Sequence, residues 1–138
     1  MSGKILNLYV KPAHGAPMEE VSEVAAVDGM GLSGDTSFGR SKRQVLLVEQ
    51  ETLAEFGLVP GQLRENVTVN SVALAGMAKG SQIQLGQVLL EVTGDCAPCH
   101  QVEDIRPGLR DEMTGRRGTL CRVLTGGVMR VGDQVTLI

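Results

Sequence analysis

Eight short runs rich in β-branched residues and leucine, each closed off by turn-forming residues, limit what this chain can become. They span residues 5–10, 21–27, 44–48, 66–69, 83–85, 88–93, 120–124 and 135–138. Runs of this length with such flanks read as strands. Val88-Leu89-Leu90-Glu91-Val92 alternates only in part, so composition and flanks carry that assignment. The 18 glycines, at positions such as Gly80, Gly86, Gly94, Gly126, Gly127 and Gly132, suit tight turns and close strand crossings. Helical stretches are few. Residues 50–56 form one, stopped by Gly57 and Pro60; a second runs from about Val102 to Met113, with Pro107 and Gly108 breaking it. Many short strands with one or two short helices predict a mainly β fold: a closed or nearly closed β-barrel of six to eight strands. Such a barrel buries one face of each strand and leaves no long edge.

A chain of 138 residues has the size of one domain and can bury a core without cysteine or metal staples. One domain over residues 1–138 is expected. Aromatic residues make up only 2%, with no Trp, so the core must be built from aliphatic side chains and a base-stacking platform is lacking. The net charge of −3 offers no basic field to a polyanion. Both features argue against a nucleic-acid partner. No apolar run reaches the roughly 20 residues of a membrane span. The stretch 5–10, interrupted by Asn7, is too short for the apolar core of an export signal. The expectation is a cytoplasmic protein without membrane contact, whose three cysteines stay reduced.

Cys96-Ala97-Pro98-Cys99-His100 is the most conspicuous cluster. As a bare pattern it matches the C-x-x-C-H of c-type haem attachment, but no export signal accompanies it and no His or Met is marked as a distal ligand, so haem is not expected. Zinc on Cys96, Cys99 and His100 would lack the fourth ligand of a structural site, because Cys121 sits alone within 120–124. That reading is the weaker one. A thioredoxin-type pair would need a long helix in a βαβ context, and the strand-rich surroundings do not provide it. What remains is a thiol on the loop after a strand, turned sharply by Gly94 and Pro98. Cys121, between apolar neighbours, reads as a small buried residue. Cys99, beside Pro98 and His100 in a loop, reads as functional. A thiolate attacks sulfur donors or ligates a soft metal such as molybdenum.

Two further clusters suit anions. Gly34-Asp35 is followed by Arg40, Lys42, Arg43 and Gln44, where guanidinium forks and glycine-exposed amides could hold a phosphate, although a solvated basic turn has the same composition. Arg64-Glu65-Asn66-Val67 places an Arg and an Asn two apart at an expected strand start, and therefore on one side.

Taken in order, Gly34-Asp35, Arg43-Gln44-Val45, Arg64-Glu65-Asn66-Val67, Pro98-Cys99, Arg122-Val123-Leu124 and Val131-Gly132-Asp133 resemble a MOSC domain, the C-terminal domain of molybdenum-cofactor sulfurase. The resemblance runs from about Met30 to Ile138 and is carried by the ordered set. It implies a compact β-barrel comparable to that of pyruvate kinase. It also implies that the cysteine after proline, Cys99, is the functional thiol: a molybdenum ligand in cofactor-binding members, or a persulfide carrier in sulfurase-type members. Arg64 and Asn66 would lie near the cofactor, with Arg43, Asp35 and Pro98 completing its surroundings. Cys96 and His100 fall outside the family pattern. Molybdopterin is thus the expected cofactor. Pyridoxal phosphate is not expected on this chain alone, so a separate cysteine desulfurase or a molybdoenzyme is the expected partner. The alternative is a non-catalytic barrel that binds a metabolite or a partner protein in cofactor metabolism.

Overall fold

The computed structural model describes residues 2–138. Its eleven strands are β1 (Ser2–Val10), β2 (Glu19–Val21), β3 (Glu23–Val27), β4 (Gly31–Leu32), β5 (Val45–Glu49), β6 (Val67–Asn70), β7 (Gln82–Leu85), β8 (Val88–Asp95), β9 (Thr119–Thr125), β10 (Gly127–Arg130) and β11 (Gln134–Leu137). Three short helices interrupt them: α1 (Gln50–Glu55), α2 (His100–Ile105) and α3 (Leu109–Glu112). Seven strands run in the order β11-β7-β8-β9-β5-β6-β1, and β1 closes on β11 through Ser2↔Thr136, Gly3↔Val135 and Lys4↔Gln134. The mainly β barrel expected from the sequence is therefore present and closed. A second sheet, β10-β3-β4, flanks it.

Interior and exterior follow from the period of two along a strand. Val88, Leu90 and Val92 of β8 are buried while Leu89 and Glu91 are half-buried, so this strand alternates more cleanly than its sequence suggests. Val45-Leu46-Leu47-Val48 instead is buried at every position. Val45 and Leu47 enter the barrel core with Ile5, Leu8, Val67 and Leu90, whereas Leu46 and Val48 face outward into a second cluster with Leu53, Leu63, Val102, Leu109 and Met113. The helices cover that outer face. β5 and β6 are the parallel pair, Leu47↔Val67 to Glu49↔Val69, and their connection carries α1. A parallel pair covered by a crossover needs apolar residues on both faces, which is why this run does not alternate.

The structure differs from the sequence reading in three places. The expected strand 21–27 is two strands in different sheets: β2 pairs with β1, β3 pairs with β10, and Ser22 accepts a backbone hydrogen bond from Val131 between them. The stretch 102–113 is two helices, because Arg106 is extended and Gly108 takes φ +86°; the helix count is accordingly three. β10 and β4 were not foreseen, being two to four residues long and glycine-flanked.

Candidate functional site

One rim of the barrel carries an open cleft of about 290 Å³, walled by the segment after β1, the 35–46 stretch, Arg64, Asn66, Cys96, Arg117 and Leu120. Each wall is pinned by a specific contact. Asp35 is buried and accepts hydrogen bonds from the Lys11 amide (2.8 Å), the Ser37 amide (3.0 Å) and Asn66 Nδ2 (3.2 Å). Asn66 also donates to the Tyr9 carbonyl and accepts from the Leu46 amide. Its side chain thus ties β1, β5 and the Asp35 turn together. The buried Gln44 donates to Gly29 and Arg40 carbonyls and accepts from the Val123 amide, while Thr93 donates to the Lys42 carbonyl at 2.7 Å. These bonds hold the 40–43 turn against the barrel.

Arg64 sits at φ +59°, the left-handed region that costs a non-glycine residue of order 1–3 kcal/mol. Its amide donates to the Gly61 carbonyl, so it lies in a turn and the strand begins only at Val67. The alternation expected from 64 to 66 does not apply there. Asn66 is buried and Arg64 exposed, yet both reach the cleft.

Charge is distributed unevenly among the arginines. Arg106, Arg116, Arg122 and Arg130 each have a carboxylate partner at 2.6 to 4.0 Å. Arg110 on α3 has none among the described residues and lies outside the cleft; the four others without one, Arg40, Arg43, Arg64 and Arg117, all line it. With Lys11, they set five permanent cations against the single carboxylate of Asp35, in a chain whose net charge is −3. Like charges gathered along one cleft raise a local positive potential and favour an anionic guest.

Arg117 is the most telling member. It is 5% exposed, and its Nε and Nη1 have no hydrogen-bond partner; Nη2 reaches Gln101 Oε1 only at 3.5 Å. A buried guanidinium is normally paired, since desolvating it without compensation is costly. Sequence reasoning missed it. The signal was the doublet Arg116-Arg117 before Gly118 and a strand, and the doublet divides its labour: Arg116 goes outward to Glu55 at 2.6 Å, Arg117 inward.

Pairing of β8 with β9 ends at Asp95↔Thr119, and one residue further the Cys96 amide donates to the Gly118 carbonyl at 2.9 Å. This extension sets Cys96 opposite Gly118, on the same cleft wall as Arg117. Cys96 is buried and lines the cleft, and Arg43 Nη2 donates to its Sγ at 3.8 Å. Cys99 is exposed and lies at the start of α2; neither it nor Pro98 lines the cleft. Of the residues singled out in the sequence, Asp35, Arg43, Arg64 and Asn66 thus converge, with Asp35 and Asn66 engaged in holding the walls. Cys99 and Pro98 stand three and two residues beyond Cys96. Cys121 is fully buried in the barrel, and burial pushes its thiol up to about 12. Among the described residues no three His, Cys, Asp or Glu side chains group as a metal site, and no helix is long and apolar enough to cross a membrane.

Fold and cleft together define a closed seven-stranded barrel with an arginine-lined, thiol-bearing recess at one rim. The family model for the MOSC domain matches residues 14–136, and the chain belongs to the MOSC family. No curated protein sequence matches it. Among solved structures it is similar to the YuaD protein of Bacillus subtilis (TM-score 0.83, 22% identity, 98% of this chain and 94% of that one). It is also similar to YiiM of Geobacillus stearothermophilus (0.75, 18%, 99% and 75%) and to YiiM of Escherichia coli (0.75, 20%, 100% and 70%). At these identities the likeness concerns the fold.

Proposed function

We propose that this protein handles the molybdenum cofactor, its arginine cleft receiving the phosphate end of the pterin and the 96–99 loop supplying thiols. The observation that carries this reading is Arg117, buried in the cleft with Nε and Nη1 unpaired. A phosphate drawn into the cleft would offer the acceptors this guanidinium lacks, bound two-point through Nη2 with either Nε or Nη1 once the side chain turns toward it. Arg43, Arg64 and Arg40 would surround the same anion. Asp35 and Asn66 would act through the backbone they position. When bound, the cofactor would bring a redox-active, sulfur-ligated metal. Cys99, exposed on the loop, would be the thiol open to that metal.

A second reading rests on the same exposure. Cys99 can be reached by a partner's active site, as a carrier of sulfane sulfur loaded by a separate desulfurase must be. Intact mass and elemental analysis of freshly purified protein and of Cys99→Ser separate the two. Molybdenum or bound pterin, lost in the variant, supports cofactor handling; a reducible adduct of about 32 Da lost in the variant supports sulfur carriage. Protein without molybdenum and without affinity for molybdopterin refutes the first. Full binding of a cofactor-pathway metabolite or partner by Cys99→Ser would leave a non-catalytic binding barrel in front.

A further inference from the structure

We infer that the cleft is also a reaction site for thiosulfate-class anions, with Cys96 as the nucleophile that takes their sulfane sulfur. The inference rests on the reading of the cleft as an anion site and adds a chemistry to it. Two independent observations meet there. The unpaired, buried Arg117 calls for an anion, and a sulfur nucleophile stands against the same recess, in contact with Arg43. An anion that satisfies both must carry acceptor oxygens at one end and an electrophilic sulfur at the other. Thiosulfate does: its three oxygens resemble those of phosphate in charge and tetrahedral placement, and its outer sulfur is soft.

The geometry also distinguishes the two cysteines. Cys96 lines the cleft with the four arginines, its thiol in contact with Arg43 and its amide bonded to the Gly118 carbonyl. Cys99 is exposed to solvent and is not part of the cleft wall, so an anion held by the arginines is presented to Cys96. In the step itself the Cys96 thiol first gives its proton to solvent. The thiolate, the nucleophilic form, then attacks the outer sulfur. A new S–S bond forms on Cys96 as the S–S bond of thiosulfate breaks. The electron pair leaves with sulfite, which departs as a dianion. The enzyme keeps one persulfide, total charge is unchanged, and no outside oxidant or reductant takes part. The arginines stabilise the sulfite leaving group by the contacts that bound its precursor. Sulfur would thereby be loaded without a desulfurase partner.

The test uses the full chain with sodium thiosulfate, reading intact mass and sulfite release, for wild type, Cys96→Ser and Arg117→Gln. Wild type should gain one adduct of about 32 Da, removed by dithiothreitol, with a matching equivalent of sulfite. Cys96→Ser should lose both signals. Arg117→Gln should need roughly tenfold more thiosulfate or beyond, as expected for losing a charge-assisted fork. Inorganic phosphate should inhibit the wild type competitively, which decides the matter even if Arg117→Gln fails to fold. Wild type that binds phosphate but yields neither sulfite nor adduct would overturn this inference alone. An adduct that persists in Cys96→Ser would overturn the assignment to Cys96. No response to either anion would end both this inference and the cofactor reading.

Discussion

Replacing Arg117 with Met should make the free protein more stable and weaken its response to phosphate. Met keeps the long, unbranched stem that packs in this position and removes the guanidinium. Among the described residues the one bond lost in the free protein is the 3.5 Å contact to Gln101, at the outer limit of a hydrogen bond. What is relieved is larger. Each buried polar group without a partner costs about 1–3 kcal/mol, and Nε and Nη1 belong to one such buried, charged group. A net gain of about 1–3 kcal/mol is therefore expected. For 138 residues the unfolding entropy is about 0.29 kcal/mol/K, so each kcal/mol moves Tm by about 3.5 °C. Arg117→Met should melt about 3–10 °C above wild type in phosphate-free buffer. At about 100 times the wild-type Kd, phosphate should stabilise the wild type by about 2.7 kcal/mol, near 9 °C, and a variant bound tenfold more weakly by about 1.4 kcal/mol, near 5 °C. Differential scanning calorimetry over a phosphate series reads both signs. A variant destabilised by more than about 2 kcal/mol that responds to phosphate as fully as the wild type would show that Arg117 is a structural cation, and the argument for an anion site would fall.

Tyr9, the single tyrosine in a chain without tryptophan, gives a pH readout: its phenol is pushed up from 10.0 to about 12, first by burial and then by the Glu20 and Glu65 carboxylates. Since the folded value exceeds the unfolded one, the fold holds the proton more tightly. The associated stability is complete below pH 10 and disappears as pH rises toward 12; absorbance at about 295 nm should titrate late when folded and near pH 10 in denaturant, and an early folded titration would contradict the burial of Tyr9. Gly118→Ala should cost about 2 kcal/mol or more, because Gly118 sits at φ +148° and a Cβ would meet the Leu47 carbonyl at 3.1 Å; a thermal melt within 1 °C of wild type would disprove the constraint. Alkylation by iodoacetamide should modify Cys99 first, Cys96 later and more slowly in phosphate, and Cys121 only on unfolding, as burial and its raised value of about 12 require; peptide mapping over time checks the order. Asp35→Ala should remove the acceptor for two amides and Asn66, destabilising by about 1–3 kcal/mol; a thermal melt indistinguishable from wild type would show that the cleft wall does not depend on it.

Strand identity was legible where one face is buried and turn residues bracket the run, as at Val88, Leu90 and Val92. The stop after α1 at Gly57, which takes φ +70°, was equally readable. These are local properties: side-chain periodicity and backbone freedom act within a few residues. The break at Ser22 was not readable, because β2 and β3 differ in the partner each finds, β1 in one case and β10 in the other. Nor could the order of residues show that Arg116 turns to Glu55, sixty-one positions away, while its neighbour Arg117 turns inward unpaired. Local patterning alone specified a glycine-punctuated, aliphatic β-barrel and supplied arginines and cysteines as candidate site residues. Which thiol lines the arginine cleft, and which arginines there lack carboxylates, was settled by the folded arrangement, because desolvation and charge pairing are set by neighbours that chain closure brings together.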